Sequence, residues 1–176
     1  VVVVSSGDPG VFAMASAVFE AVENGPLSWR ELDISVLPGI TAMLAAAARL
    51  GAPLGHDFCV INLSDNLKPW SIIETRLRLA MEADFAMAFY NPRSKARPEG
   101  FEKALDLLKS ACEKERLSMF ARAVSTPEES LLTVALSDAT PDMADMRTMV
   151  LLGSRQTRLI PRKNAAPIVY TPRSLR

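Results

Sequence analysis

The feature that most constrains the fold is a pattern that occurs twice near the start of the chain: an apolar run, a tight turn with Gly and Pro, and a helix of small residues. In the first copy, the β-branched run Val1–Val4 is apolar on both faces and predicts a buried strand of a parallel sheet. In the turn SSGDPGVF, Gly7 gives the backbone freedom, Asp8 is placed to cap a helix, and Pro9 suits the first helical position. We therefore predict a helix that follows the turn directly.

In the second copy, LDISVLPG predicts a strand that ends in a turn at Pro38 and Gly39. Thr41 then caps a predicted helix, AMLAAAARL, which Gly51 ends. Two strand–helix units in succession predict a right-handed, parallel α/β sheet. In such sheets the loops that follow the strands commonly bind ligands, although Asp8 and Thr41 are also explained as plain helix caps.

A Gly- and Pro-rich segment, GAPLGH, predicts a linker between two domains. We expect an N-terminal α/β domain over residues 1–54 and a C-terminal α/β domain over residues 55–176. In the second domain the later strands lie close together in sequence, which indicates hairpins and hence a mixed sheet. The predicted strands cover residues 58–63, 84–90, 117–124, 130–136, 147–153 and 168–170, and the predicted helices cover residues 69–82 and 101–115.

The composition excludes several classes of protein. Of the 176 residues 49% are hydrophobic, and 20 Lys plus Arg balance 20 Asp plus Glu, so no basic surface for nucleic acid is predicted. No apolar run is long enough to cross a membrane. Cys59 and Cys112 lie in separate apolar segments, His56 is the single histidine, and no CxxC or HExxH is present. We predict free thiols, no metal and a cytoplasmic location.

The usual catalytic motifs are absent, since the sequence contains no GxGxxG, GxxxxGK[ST] or GxSxG. The remaining candidates are loops at predicted strand ends. Backbone N–H groups near Gly7 and Gly39 suit carboxylate or ribose oxygens, and apolar side chains such as Val11 and Met43 suit a flat ring. This combination fits an adenosyl compound.

A basic loop, NPRSKARPEG, has two interpretations. Arg93, Lys95 and Arg97 are candidates for a clamp on acidic groups of a substrate. A solvated surface loop is the plainer interpretation, just as His56 is more simply explained as a loop residue bonded to backbone than as a general base.

Taken in order, five segments resemble the tetrapyrrole (corrin/porphyrin) methylase family. They are SSGDPGVF, VLPGITAMLAAAARLGAPLGHDF, INLSDNLKPW, ADFAMAFYNPRSKAR and IVYTPR. The resemblance covers nearly the whole chain and implies a two-domain α/β fold and a homodimer. It also implies S-adenosyl-L-methionine as cofactor, bound between the domains, and a tetrapyrrole (precorrin) substrate.

Within that family, LSDNLKPW and YNPRSKAR imply methylation of C17 of precorrin-3B with ring contraction, in cobalamin biosynthesis. The implied cofactor contacts are Gly7, Asp8, Val11, Thr41, Ala42, Asn91, Ala121, Val124 and Thr148. For acid–base help with ring contraction we name His56, Ser64 and Asp65, and for the substrate carboxylates Arg93, Lys95 and Arg97.

Two departures from the family pattern bear on these expectations. Val124 stands where a glycine is common, and the family's first strand with its GxGPG loop is not in this sequence, so we expect an N-terminal portion outside it. The alternatives are another methylase of the same fold, with a cobalt-containing precorrin or an RNA ribose as substrate, and a non-catalytic module that only binds a ligand.

Overall fold

The computed structural model describes residues 1–94 and 98–174. The chain divides into two compact units, Val1–Leu44 and a second unit that begins at Ala45. The domain boundary expected between residues 54 and 55 stays a prediction. Two predicted site residues, Lys95 and Arg97, lie outside the described residues.

The N-terminal unit contains helix α1 (Met14–Asn24) and a 3-10 helix (Leu27–Glu31). The predicted strand at Val1–Val4 is wrong, since these residues are exposed and belong to neither sheet of the described chain. The predicted strand in LDISVLPG is also wrong, since this segment belongs to neither sheet of the described chain. Strand propensity reports how well a side chain fits beside neighbouring strands, and no partner strand pairs with either segment here.

Helix α1 also begins later than predicted. Val11 N donates to Asp8 O, at 3.2 Å, so a turn closes before the helix. Phe12 has a φ of 52°, in the left-handed region, which a right-handed helix cannot include. The first helical residue is therefore Met14, not Pro9.

Helix α2 (Ala42–Leu50) has the predicted bounds, and its buried residues are Ala46, Ala47 and Leu50. The strand β1 (Gly51–Ala52) follows at once, inside the segment predicted as a linker. It pairs in parallel with β8 (Ile168–Tyr170), which pairs antiparallel with β7 (Arg158–Ile160). The sequence did not predict β7, because its three residues are exposed and show no alternation.

A five-stranded mixed sheet forms the centre of the second unit, in the order β2-β3-β6-β4-β5. Only β2 and β3 are parallel, and each of the other pairs is antiparallel, as the close spacing of the later strands predicted. The strands are β2 (Phe58–Asn62), β3 (Ala86–Tyr90), β4 (Leu117–Arg122), β5 (Ser130–Ala135) and β6 (Thr148–Leu152).

Helices α3 (Trp70–Glu82) and α4 (Gly100–Ala111) bury their apolar faces in the core of this unit. The rings of Phe101 on α4 and Phe120 on β4 meet edge to face, with centroids 6.2 Å apart. Within the described part of the chain, no helix has the length and apolar character that crossing a bilayer requires.

The strand register defines two edges of the five-stranded sheet. At one edge, Asn62 pairs with Tyr90, and Arg122 pairs with both Thr148 and Ser130. The carboxyl ends of β2, β3 and β4 therefore lie together with the first residues of β5 and β6. We call this the carboxyl edge, and the other end of the same strands the opposite edge.

Candidate functional site

In the N-terminal unit, one carboxylate joins the GDP and PGIT loops. Asp8 Oδ1 accepts a hydrogen bond from Gly10 N at 2.8 Å, and Asp8 Oδ2 accepts one from Gly39 N at 3.1 Å. A Cβ on Gly39 would overlap Gly7 O, so the close approach requires glycine there. Gly7 itself has a φ of 71°, which glycine adopts without strain.

This geometry replaces the predicted role of Asp8 as the cap of α1. The residue before α1 is Ala13, which makes no side-chain cap bond. The Asp8 carboxylate instead fixes its own turn and holds the second loop. Of the other predicted residues in this unit, Thr41 is buried, Val11 is half-buried and Ala42 is exposed.

At the carboxyl edge, Asn62 connects two of the predicted residues. Its Oδ1 accepts hydrogen bonds from Ser64 N at 2.9 Å and from Asn91 Nδ2 at 3.1 Å. Lys68 Nζ donates to Ser64 O at 3.0 Å, and Asp65 next to it is exposed. Burial, and then the charge of Arg76, lower the pKa of Lys68. The ends of the parallel strands β2 and β3 are thus held together by amide hydrogen bonds.

The loop after β4 is the next part of this edge. Ala121 is buried on β4, and Val124 is half-buried just beyond it. Ala123 and Ser125, on either side of Val124, have φ values of 48° and 64°. Ser125 N donates to Glu129 Oε2 at 2.8 Å. A bent backbone is therefore formed here without glycine, at the position where the resemblance implies a glycine.

Thr148, at the start of β6, is buried and bonded within the edge. Its Oγ1 donates to Asp145 Oδ1 at 2.7 Å, and Arg122 Nε donates to Asp145 Oδ2 at 2.8 Å. Burial raises the pKa of Asp145, but the hydrogen bonds from Thr148 and Arg122 outweigh it and leave the pKa below its ordinary value. The Thr148 hydroxyl is committed as a donor to this carboxylate.

The three predicted catalytic residues do not lie together. Ser64 and Asp65 follow β2, whereas His56 precedes it, at the opposite edge. His56 Nδ1 accepts a hydrogen bond from Asp57 N at 2.7 Å, which is the plainer of its two sequence interpretations. Their catalytic roles stay predictions.

The predicted substrate residue Arg93 has an acidic partner in the structure. Its Nη1 donates to Asp142 Oδ1 at 2.6 Å, and the Arg93 side chain is 31% exposed. Among residues 1–94 and 98–174, no group of three or more His, Cys, Asp or Glu side chains is arranged to hold a metal ion.

Sequence reasoning missed three side chains that organise the carboxyl edge. Asn62 is the next-to-last residue of the strand predicted over residues 58–63, and a polar residue near a strand end signals a site. Asp145 stands three residues before Thr148, a spacing that allows a local hydrogen bond. Glu129 gave no such signal, because its partner Arg49 is 80 residues away.

Comparison with known proteins assigns the class. The family model of the Tetrapyrrole (Corrin/Porphyrin) Methylases matches residues 1–140. The chain belongs to this family. The predictions of the family, of an enzyme of the methyltransferase class and of the two-sheet α/β fold are therefore confirmed.

Two individual relatives show which members of the family this chain resembles. The chain is 53% identical over 173 residues to a precorrin-3B C(17)-methyltransferase of Sinorhizobium sp, covering 98% of this chain and 68% of the relative. It is 40% identical over 157 residues to a probable cobalt-factor III C(17)-methyltransferase of Salmonella typhimurium, covering 89% of this chain and 64% of the relative. The chain thus spans about two thirds of the length of these relatives.

Solved structures agree with this assignment. The methyltransferase CobJ superposes with a TM-score of 0.88 at 63% identity, over 96% of this chain and 68% of that one. A uroporphyrin-III C-methyl transferase from Thermus thermophilus, complexed with S-adenyl homocysteine, gives a TM-score of 0.58 at 20% identity, over 84% and 62%. The second likeness shows the fold alone.

Proposed function

We propose that this chain is the S-adenosylmethionine-dependent methyltransferase that acts on C17 of precorrin-3B, with ring contraction, in cobalamin biosynthesis. The name and 53% identity of the Sinorhizobium relative support the reaction. The single structural observation that supports the binding of S-adenosylmethionine is the pair of hydrogen bonds by which Asp8 joins the GDP and PGIT loops.

The residues of these loops fit an adenosyl cofactor. Because Gly7 and Gly39 have no side chains and lie in contact, the loops offer bare backbone where a ligand can approach. In this proposal Gly7, Asp8, Val11, Thr41 and Ala42 bind the cofactor. From the second unit the proposed contacts are Asn91, Ala121, Val124 and Thr148.

The chain's main catalytic work in this proposal is to position the reactants. S-adenosylmethionine would supply a sulfonium methyl group, with S-adenosylhomocysteine as the leaving group, and the conjugated macrocycle would supply the electron pair, so no protein nucleophile is needed. Fixing two reactants in line lowers a barrier by roughly 7–11 kcal/mol. The hydrogen bond between the side-chain amides of Asn62 and Asn91, together with the hydrogen bonds of Asp145, supplies rigid support at the carboxyl edge.

Proton transfer is assigned to the same edge. Ser64 and Asp65 follow β2 there, and Asp65 is exposed, so we assign proton transfer to these two residues. His56 stays in the proposal as the third candidate, although it lies at the opposite edge. Arg93 would exchange its partner Asp142 for a substrate carboxylate. Lys95 and Arg97 would bind substrate carboxylates with it.

A cobalt-containing substrate is the second candidate, because the Salmonella relative is named for cobalt-factor III. That metal would belong to the substrate. A cytoplasmic homodimer is also part of the proposal, and light scattering with mass detection tests the oligomeric state.

The deciding experiment incubates the full-length protein with S-adenosylmethionine and precorrin-3B, with and without oxygen, and weighs the products by mass spectrometry. A gain of one methyl supports the proposal. A gain only with the cobalt-containing substrate supports the second candidate, and no gain with either substrate contradicts both.

A matched pair of variants tests the cofactor site. Asp8→Ala removes the acceptor for Gly10 N and Gly39 N, and we expect roughly tenfold or greater loss of affinity for S-adenosylhomocysteine by calorimetry. Asp33→Ala removes an exposed carboxylate of the same unit and should leave the affinity unchanged. Equal affinity in both variants would remove Asp8 from the site.

A further inference from the structure

The loop formed by residues 123–129, here called the Val124 loop, has a backbone that its sequence does not favour. Ala123 and Ser125 both have left-handed φ values, at 48° and 64°, and neither is glycine. For residues with a Cβ this region is disfavoured, so surrounding contacts must hold it. The half-buried Val124 lies between these two positions.

One of the two strained positions is held by local bonds. Ala123 N donates to Arg147 O at 2.9 Å, and Ala123 O accepts from Thr126 Oγ1 at 2.8 Å. These contacts come from the β6 side and from the loop itself. They leave the second position, Ser125, to be fixed by another group.

That group is the Glu129 carboxylate. Its Oε2 accepts the hydrogen bond of Ser125 N at 2.8 Å. Arg49, on α2, donates to both oxygens of the same carboxylate, from Nε at 2.9 and 3.1 Å and from Nη2 at 2.6 Å. The Glu129 side chain is only 16% exposed, whereas Arg49 is 56% exposed. The guanidinium fixes the carboxylate, and the carboxylate fixes the loop.

We propose that Glu129 is a positioning residue, which holds the Val124 loop in the conformation that contacts the cofactor. The inference rests on the proposed function, because only there is the loop assigned to S-adenosylmethionine. The left-handed residues are Ala123 and Ser125, on either side of Val124, and the carboxylate clamp formed by Glu129 holds the second of them.

The adjacent glutamate provides a matched control. The Glu128 carboxylate pairs with the Arg147 guanidinium, and both side chains are exposed. This pair does not bond to Ser125. Glu128→Ala therefore removes a carboxylate from the same loop without removing the clamp.

The test measures S-adenosylhomocysteine affinity by calorimetry and amide exchange of residues 122–130 by mass spectrometry, on the full-length protein. Glu129→Ala should lose roughly tenfold in affinity, because a hydrogen bond to a charged group is lost, and exchange in the loop should rise. Glu129→Gln keeps an oxygen for Ser125 N and should retain most of the affinity. Glu128→Ala should match the wild type in both measurements.

A rescue variant separates positioning from general stability. Ser125→Gly permits the left-handed backbone without strain, so the double variant Glu129→Ala/Ser125→Gly should regain roughly threefold of the lost affinity. A role in stability alone would lower the melting temperature of Glu129→Ala without this recovery.

The outcomes are distinguishable. Unchanged loop exchange in Glu129→Ala overturns the clamp, whatever the cofactor does. Raised exchange with unchanged affinity overturns the link to the cofactor. A wild-type protein that does not bind S-adenosylhomocysteine refutes the proposed cofactor and, with it, this inference.

Discussion

The two edges of the five-stranded sheet both carry polar side chains, yet they use them differently. At the opposite edge, the guanidinium of Arg116 is almost fully buried and pairs with Asp84 and Glu113, each at 2.8 Å. Arg155 Nε adds a contact to Glu113 at 2.6 Å. At the carboxyl edge, the arginines that pair with Asp145 and Glu129 are more exposed, and both carboxylates also accept hydrogen bonds from Thr148 Oγ1 or Ser125 N.

The residues with left-handed φ values also differ between the two edges. Asp84, at the opposite edge, has a φ of 54°, but it lies just after α3. Phe85 N donates to Ala80 O, and Asp84 N donates to Met81 O, which is the ordinary Schellman end of a helix. Its left-handed residue needs no further explanation.

At the carboxyl edge, Asn91, Ala123 and Ser125 are left-handed without ending a helix. Each follows a strand, and each is held by side-chain or long-range bonds. Polar residues and strain therefore do not mark a site by themselves. Strain that secondary structure leaves unexplained is the more specific sign of function.

The largest predicted effect tests the stabilising role of the opposite edge. Arg116→Ala should lower the free energy of unfolding by about 3 kcal/mol, because breaking a buried ion pair leaves its partners uncompensated. Urea denaturation measures it, and the folded fraction should keep its affinity for S-adenosylhomocysteine. Arg78→Ala, which breaks an exposed i,i+4 pair with Glu74, should cost less than about 0.5 kcal/mol.

Weaker binding of S-adenosylhomocysteine by the folded Arg116→Ala variant would contradict the division between the edges. So would a stability loss no larger than that of Arg78→Ala. In the second case the cluster would contribute no more than an ordinary surface ion pair.

The next effect belongs to the carboxyl edge. Asn62→Ala removes the acceptor shared by Ser64 N and Asn91 Nδ2, so we expect roughly tenfold weaker binding of S-adenosylhomocysteine. The free energy of unfolding should fall by only about 1 kcal/mol, because water can reach these part-buried groups. Asn164→Ala, in an exposed turn, should change neither quantity. A stability loss as large as that of Arg116→Ala would show that Asn62 is structural.

Much of the second unit could be predicted from sequence. Helices and strands with clear apolar periodicity, such as α2, α3 and β3, were placed within two residues of their observed bounds. The hairpin spacing of the later strands correctly predicted a mixed sheet. The segment Val1–Val4 failed because a strand depends on a partner, which no local pattern of residues specifies.

The predicted cofactor residues Gly7, Asp8, Asn91, Val124 and Thr148 came from motifs, and their roles stay predictions. The residues that hold them could not be found in this way, since Asp8 bonds 31 residues ahead, to Gly39, and Glu129 bonds 80 residues back. Such contacts are a property of the fold, and sequence spacing does not encode them.

The smallest effect is a pH dependence that separates the edges. A backbone hydrogen bond at Glu113 itself, then bonds from Arg155 and Arg116, outweigh burial and lower the pKa of Glu113 from 4.5 to about 2. A carboxyl whose pKa is depressed by folding stabilises the protein above its unfolded pKa. That stability is lost as pH falls through the folded value. The free energy of unfolding should therefore decrease between about pH 4.5 and about pH 2, and Glu113→Gln should flatten this part of the profile.

Asp145 provides the counterpart at the carboxyl edge, since its pKa is also below the ordinary value. As for Glu113, protonation in acid weakens the hydrogen bonds of the Asp145 carboxylate, here those to Thr148 and Arg122. The expected readout is the affinity for S-adenosylhomocysteine. Asp145→Asn should weaken binding at neutral pH and reduce its decline in acid, whereas Glu113→Gln should leave the affinity profile as it is. If Glu113→Gln changed the affinity profile and Asp145→Asn did not, the two edges would have exchanged roles, and the assignment of the site to the carboxyl edge would be wrong.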